Sequence, residues 1–116
     1  MREKDILFLL EPGFEDPALP GRKFYCPYCA QVEGVLASYA EHTGNIEVVR
    51  LPFPRPRRAT IELVGEEHQS LPLMVLASDA PRYDFTLHHG EVRFVSKTAD
   101  ILRLLHLRHG IDEIHP

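Results

Sequence analysis

Apolar runs alternate along the chain with stretches whose apolar positions fall at helical spacing. Asp5 to Leu10, DILFLL, is an almost unbroken apolar run, the pattern of a strand covered on both faces. Glu11 to Tyr25 carries Pro12, Gly13, Pro17, Pro20 and Gly21 and predicts a long loop. Pro27 suits the first position of a helix, where its missing N–H leaves no bond unmade. Val32, Val35, Leu36 and Tyr39 continue that helix at the right spacing, and Gly44 closes the segment. Ile46 to Leu51, IEVVRL, predicts a second strand. Pro52, Pro54 and Pro56 stiffen the connection that follows, which carries Arg55, Arg57 and Arg58. A short helix is expected from Arg57 to Val64, stopping at Gly65.

Leu71-Pro72 leads into a third strand, Leu73 to Ala77. Ser78 to His89 predicts a loop with a short strand piece around Phe85, and Glu91 to Val95 predicts a fourth strand. Ser96 or Thr98 is expected to cap a last helix, with Ile101, Leu104 and Leu105 facing inward and Gly110 after its end. The resulting order is β-α-β-α-β-β-α within one domain, residues 1–116. Its first half is a βαβ unit, which needs parallel strands joined by a right-handed crossover.

Composition removes several function classes. A net charge of −4 and a pI near 5.9 supply no basic field for nucleic acid. No run approaches the roughly 18 apolar residues that cross a bilayer. The first residues, Met1-Arg2-Glu3-Lys4-Asp5, carry two acids and no small-residue cleavage site follows, so no signal peptide is read and a cytoplasmic location is expected. The chain has 2 cysteines. They make no disulfide scaffold, and a cytosolic dithiol rests mostly reduced.

Both cysteines lie in one motif, Cys26-Pro27-Tyr28-Cys29, at the expected start of the first helix. Cys26 falls at the N-cap, where unpaired N–H groups and the positive end of the helix favour a thiolate. Cys29 falls one turn further in, within reach of the first sulfur but less open to solvent. The spacing suits attack by Cys26 on a disulfide and resolution of the mixed intermediate by Cys29.

With CPYC opening the first helix, the element order resembles a thioredoxin-like fold, and the motif resembles that of glutaredoxins. Lys23, three residues before the first cysteine, and Pro72, just before the third strand, match positions of that family. The stretch CPYCAQVEGVLASY is also similar to a bacterial family of thioredoxin-like domains without assigned function. The resemblance implies a four-stranded mixed sheet with helices on both faces, a cis bond at Pro72, and thiol–disulfide exchange with no bound cofactor. Glutathione, as reductant or substrate, or a disulfide-bearing protein would be the partner, with no nucleic acid and no membrane. Lys23, Tyr28, Arg55, Arg57, Leu71, Pro72, Ser96 and Asp100 are the substrate-binding candidates, gathered where the sheet edge brings the loops together. Three departures bear on glutathione specificity. The loop before the cysteines is long, Ser70-Leu71 replaces the usual Thr-Val, and Val95 to Asp100 lacks the family's glycine pair and aspartate.

Two other classes compete on sequence. Cys26, Cys29, His88 and His89 form a nominal Cys₂His₂ zinc set, but adjacent histidines seldom serve one metal and finger spacing is absent. His106 and His109 stand at i,i+3 without a companion ligand nearby in sequence; His42, His68 and His115 read as surface or turn residues. No metal site is assigned. The third class is an interaction domain that keeps the fold and a vestigial motif, its proline-rich loop binding a partner.

Overall fold

The computed structural model describes residues 2–116. Five strands and three α-helices follow in the order β1 (Asp5–Leu10), α1 (Pro27–Ser38), β2 (Ile46–Leu51), α2 (Arg58–Val64), β3 (Leu73–Val75), β4 (Leu87–His89), β5 (Val92–Val95) and α3 (Thr98–His109). The sheet order is β2-β1-β3-β5-β4. β1 and β2 are parallel in register from Asp5 with Ile46 to Leu10 with Leu51, and β3 lies antiparallel on the other side of β1. β5 pairs antiparallel with both β3 and β4.

Period-two alternation along β1 divides the core. Leu7 and Leu9 pack with Val32 and Leu36 of α1 and Ile101, Leu104 and Leu105 of α3. Phe8, on the opposite face, packs with Val64 of α2 and with Leu73, Val75 and Phe94. Helices therefore cover both faces, which is why β1 is apolar without a break. No described helix is long and apolar enough to cross a membrane.

The sheet has five strands, not the expected four. β4 is Leu87-His88-His89, exposed on both faces and held by β5 alone. Neither a burial period nor a β-branched run announces it, and the strand piece expected around Phe85 falls two residues later. A second correction concerns α3. Its N-cap is Lys97, with extended φ −79° and ψ 133° and no capping side chain, so neither Ser96 nor Thr98 caps it. β5 ends at Val95, Ser96 completes the turn, and Thr98 already lies inside the first turn. α1 ends at Ser38, ahead of Gly44, with a 3₁₀ turn at Ala40–His42 between them. The expected glycine stops do end α2 and α3. Gly110 adopts the left-handed conformation, φ 70°, and Gly65 has φ 87° with the His89 ring 3.1 Å from where a Cβ would sit.

The long loop is an ordered strap. Phe14 and Phe24 form an antiparallel bridge, with Phe24 N–H donating to the Phe14 carbonyl at 2.8 Å and Gly13 N–H to that of Phe24 at 2.8 Å. The Phe14 ring stacks on Phe53, centroids 4.5 Å apart and nearly parallel. The strap is thus closed at its neck and fastened to the connection after β2.

Candidate functional site

Parallel pairing puts the C-terminal ends of β1 and β2 at one sheet edge, and the antiparallel β3 begins there. Four connections converge on this edge: the strap into α1, the 52–57 connection, the 69–72 approach to β3, and the turn from β5 into α3.

Cys26 is the N-cap of α1, with extended φ −76° and ψ 121°, followed by Pro27 at N1. Its sulfur accepts the Cys29 backbone N–H at 3.2 Å, one of the orphan donors of the helix start. Its thiol points at the Leu71 carbonyl, 3.9 Å away. Leu71–Pro72 is cis, as is Arg55–Pro56. Cys29 is 2% exposed, and its sulfur accepts the Leu10 N–H at 3.4 Å. Burial pushes the Cys29 thiol up to about 12 despite that hydrogen bond, and the neighbouring Cys26 adds to the rise. The two thiols are free and chemically unequal: Cys26 is partly exposed at a helix terminus, and Cys29 is buried and protonated.

The substrate-binding candidates separate into three groups. The Leu71 carbonyl lies against the Cys26 thiol, and Pro72 follows it across the cis bond. Tyr28 and Lys23 are exposed near it, and Tyr28 joins Tyr25 as a pair of uncovered aromatic rings flanking the cysteine. Arg55 is exposed and reaches the Ser70 hydroxyl at 3.4 Å, on the segment leading to Leu71. Ser96 and Asp100 stand at the α3 N-terminus on the same sheet edge, and the hydrogen bonds of both cysteines go to other residues.

Arg57 belongs elsewhere than the open binding loop in which sequence put it. It is 7% exposed. Its Nη1 donates to the Gln69 carbonyl at 2.7 Å, Nη2 to that of Phe53 at 2.5 Å and Nε to that of Pro52 at 3.4 Å. Its backbone N–H takes the Gln69 side chain at 2.8 Å. Burial pushes the guanidinium below its usual value and the Arg55 charge adds to this, while Cys29 and Cys26 oppose both. Arg57 therefore braces the 52–57 connection against the approach to Leu71, within electrostatic range of both sulfurs.

The zinc set does not assemble. His88 and His89 lie on the edge strand β4, with β5 and β3 between it and β1. Among the described residues no three His, Cys, Asp or Glu groups are arranged to hold a metal ion. A cleft of about 1020 Å³, lined by Asp79, Arg82, Tyr83, Asp84, His88 and Arg93, opens at the opposite end of β3 and β5 and does not border the cysteines.

Two clusters escaped sequence reasoning. The Phe14–Phe24–Phe53 clamp was signalled only by three aromatics spread among turn formers. At the far end of β1, the buried Asp5 carboxylate accepts from Arg108 Nε at 2.7 Å and Nη2 at 2.9 Å, His109 Nε2 at 2.7 Å and the Ala77 N–H at 2.8 Å. Nothing links Asp5 to residues 108 and 109 in sequence.

Residues 4–113 match the family described as a protein of unknown function, DUF3088. The chain belongs to that family. No curated protein and no solved structure matches the DUF3088 chain.

Proposed function

We propose that this DUF3088 protein is a thiol–disulfide oxidoreductase of glutaredoxin or thioredoxin type, with Cys26 as nucleophile and Cys29 as resolving thiol. The observation that carries the reading is the inequality of the two sulfurs. Cys26 is reachable and takes a helix N–H, while Cys29 is buried, protonated and one turn away. A βαβ unit followed by antiparallel strands, with the proline preceding the third strand beside the motif, further supports a thioredoxin-like fold; β4 is then an addition at the edge.

Deprotonated Cys26 attacks one sulfur of a substrate disulfide. A Cys26–substrate disulfide forms, the substrate S–S bond breaks, and the leaving thiolate takes a proton from water. Cys29 then loses its proton and attacks Cys26 Sγ. The Cys26–Cys29 disulfide forms and the second substrate thiol is released, so the substrate gains the two electrons that the protein loses. A thiol reductant such as glutathione reverses these steps and restores the dithiol. The partner is glutathione or a disulfide-bearing protein in a reducing compartment, with exposed Lys23 and Arg55 available to substrate carboxylates.

Trapping tests the assignment of roles. Cys29→Ser incubated with glutathione disulfide is expected to accumulate a mixed disulfide at Cys26, read by intact mass, while Cys26→Ser accumulates none. Equal trapping by both variants, or by neither, overturns the reading in favour of a non-catalytic domain.

A further inference from the structure

A buried cation normally has a carboxylate partner, because desolvating a charge costs far more than dipoles alone return. Arg57 has none. Each of its three nitrogens donates to a main-chain carbonyl, those of Pro52, Phe53 and Gln69, and no carboxylate pairs with it among the described residues. Those carbonyls give each nitrogen a hydrogen-bond partner and leave its charge uncompensated.

The surroundings contain few other charges. Arg55, on the same connection, is a second cation and repels it. Glu33 of α1, which acts on Cys29, is held by Arg50 of β2 at 2.7 Å. The two cysteines act on Arg57 in the opposite sense to Arg55, and Cys29 is kept protonated by burial. The brace also fixes where this charge sits. Gln69 is two residues before Leu71, whose carbonyl meets the Cys26 thiol. The Phe53 ring, 5.9 Å from the Arg57 guanidinium carbon, carries the stacked Phe14 that closes the strap just before Cys26.

We infer that Arg57 is a positioning residue whose buried, uncompensated charge favours the Cys26 thiolate, and so makes Cys26 a better leaving group and the Cys26–Cys29 disulfide a stronger oxidant. The inference rests on the exchange reading above and adds a determinant of redox poise that does not touch the substrate. It also departs from the substrate-binding role the sequence suggested, since the guanidinium is buried and turned onto three carbonyls.

The comparison that tests it uses Arg57→Lys, which keeps the charge, and Arg57→Gln, which keeps polarity without charge, each checked for a native circular dichroism spectrum. Two readouts apply: the rate of iodoacetamide alkylation of Cys26 against pH, and the equilibrium constant with glutathione. Arg57→Gln is expected to slow alkylation about ten-fold at pH 7 and move the rate profile to higher pH. It should also shift the equilibrium about ten-fold toward the protein disulfide, about 30 mV more reducing. Arg57→Lys should stay within about three-fold of the wild type in both. Unchanged values in folded Arg57→Gln, or equal losses in both variants, overturn the inference. Should Arg57→Gln fail to fold, the unmutated protein decides. The Arg57 Nε–H resonance must follow the ionisation of Cys26 and cease to do so in Cys26→Ser, and a resonance indifferent to it refutes the proposal. Alkylation needs no exchange partner, so loss of the Arg57 effect is distinguishable from a failure of wild-type Cys26 to exchange.

Discussion

The two ends of β1 each hold a buried charge, and they treat it in opposite ways. At the N-terminal end, Asp5 meets a bidentate Arg108, His109 and a backbone N–H, so every bond the carboxylate can use is made. Because an ionised carboxylate only accepts, His109 must carry its proton on Nε2 there. At the C-terminal end, Arg57 meets only main-chain carbonyls, with the two cysteines within electrostatic range. The first arrangement is closed and ties the strand start to the end of α3. The second is open, and what it lacks is an anion beside an accessible sulfur. A saturated buried charge serves architecture, whereas the unsaturated one is what the exchange reading proposed above would use.

Removing Asp5 is the most severe way to break this contrast. Asp5→Ala leaves Arg108 and His109 facing an uncompensated hollow, and deleting one member of a buried ion pair costs about 3–5 kcal/mol. The expected result is a fall of that size in unfolding free energy by urea titration, with Cys26 alkylation in the remaining folded protein unchanged. The two sites are separated by roughly 16 Å along the strand, five residues at about 3.3 Å each. A variant that keeps its stability, or loses Cys26 reactivity while folded, would contradict the division between the two ends.

Varying pH tests both ends without mutation. Burial alone would raise the Asp5 carboxyl, but the bonds from His109, Arg108 and the Ala77 N–H outweigh it and hold it at about 2 instead of 3.8. A lowered acid stabilises the fold above its unfolded value, so about 2 kcal/mol is present at neutral pH and is lost as pH falls from about 4 to about 2. Cys29 works in the other direction. Raised to about 12, it stays protonated in the reduced fold while the unfolded chain ionises near 9. Stability should therefore decline from about pH 9 upward, by at most about 1.4 kcal/mol per pH unit, toward about 12. Denaturation at a series of pH values checks both limbs. The acid limb should flatten in Asp5→Asn and the alkaline limb in Cys29→Ala.

The sequence made the cysteine end more legible than the acid end, for a physical reason. Cys26, Pro27 and Cys29 are neighbours on one helix start, and the place of Pro72 before the third strand follows from apolar runs, so local rules reached the core of the site. Arg57 was found but misjudged. Its position in a proline-rich arginine loop reads as an open substrate-binding residue, and only tertiary packing shows the guanidinium turned inward onto the Phe53 and Gln69 carbonyls. Asp5 was hidden because its partners lie at the other end of the chain. β4 was missed because three exposed residues have no hydrophobic period to detect. The cap of α3 was misassigned because Ser and Thr favour N-caps on average, while here the turn length after β5 gives that place to Lys97.

The smallest expected effect belongs to a charge pair near the cysteine end, Arg50 lying beside Leu9, that resembles neither buried charge. Arg50 of β2 grips Glu33 of α1 through two bonds, Nε to Oε2 at 2.8 Å and Nη2 to Oε1 at 2.7 Å. The Arg50 bond, working against partial burial, lowers the Glu33 carboxyl below its usual value. Geometry alone would rank this pair with Asp5–Arg108. Exposure separates them: the Arg50 and Glu33 side chains are 48% and 31% open to water, against 15% and 0% for Arg108 and Asp5. Water screens the exposed pair and solvates either partner when the other is removed, so such bridges contribute about 0–1 kcal/mol. Glu33→Gln is expected to change the unfolding free energy by less than about 0.5 kcal/mol, and less still at 1 M salt, where the screening length shrinks to about 3 Å. A loss near that of Asp5→Ala would mean that burial is not what distinguishes a structural charge from a surface one in this fold, and the contrast between the two ends of β1 would lose its basis.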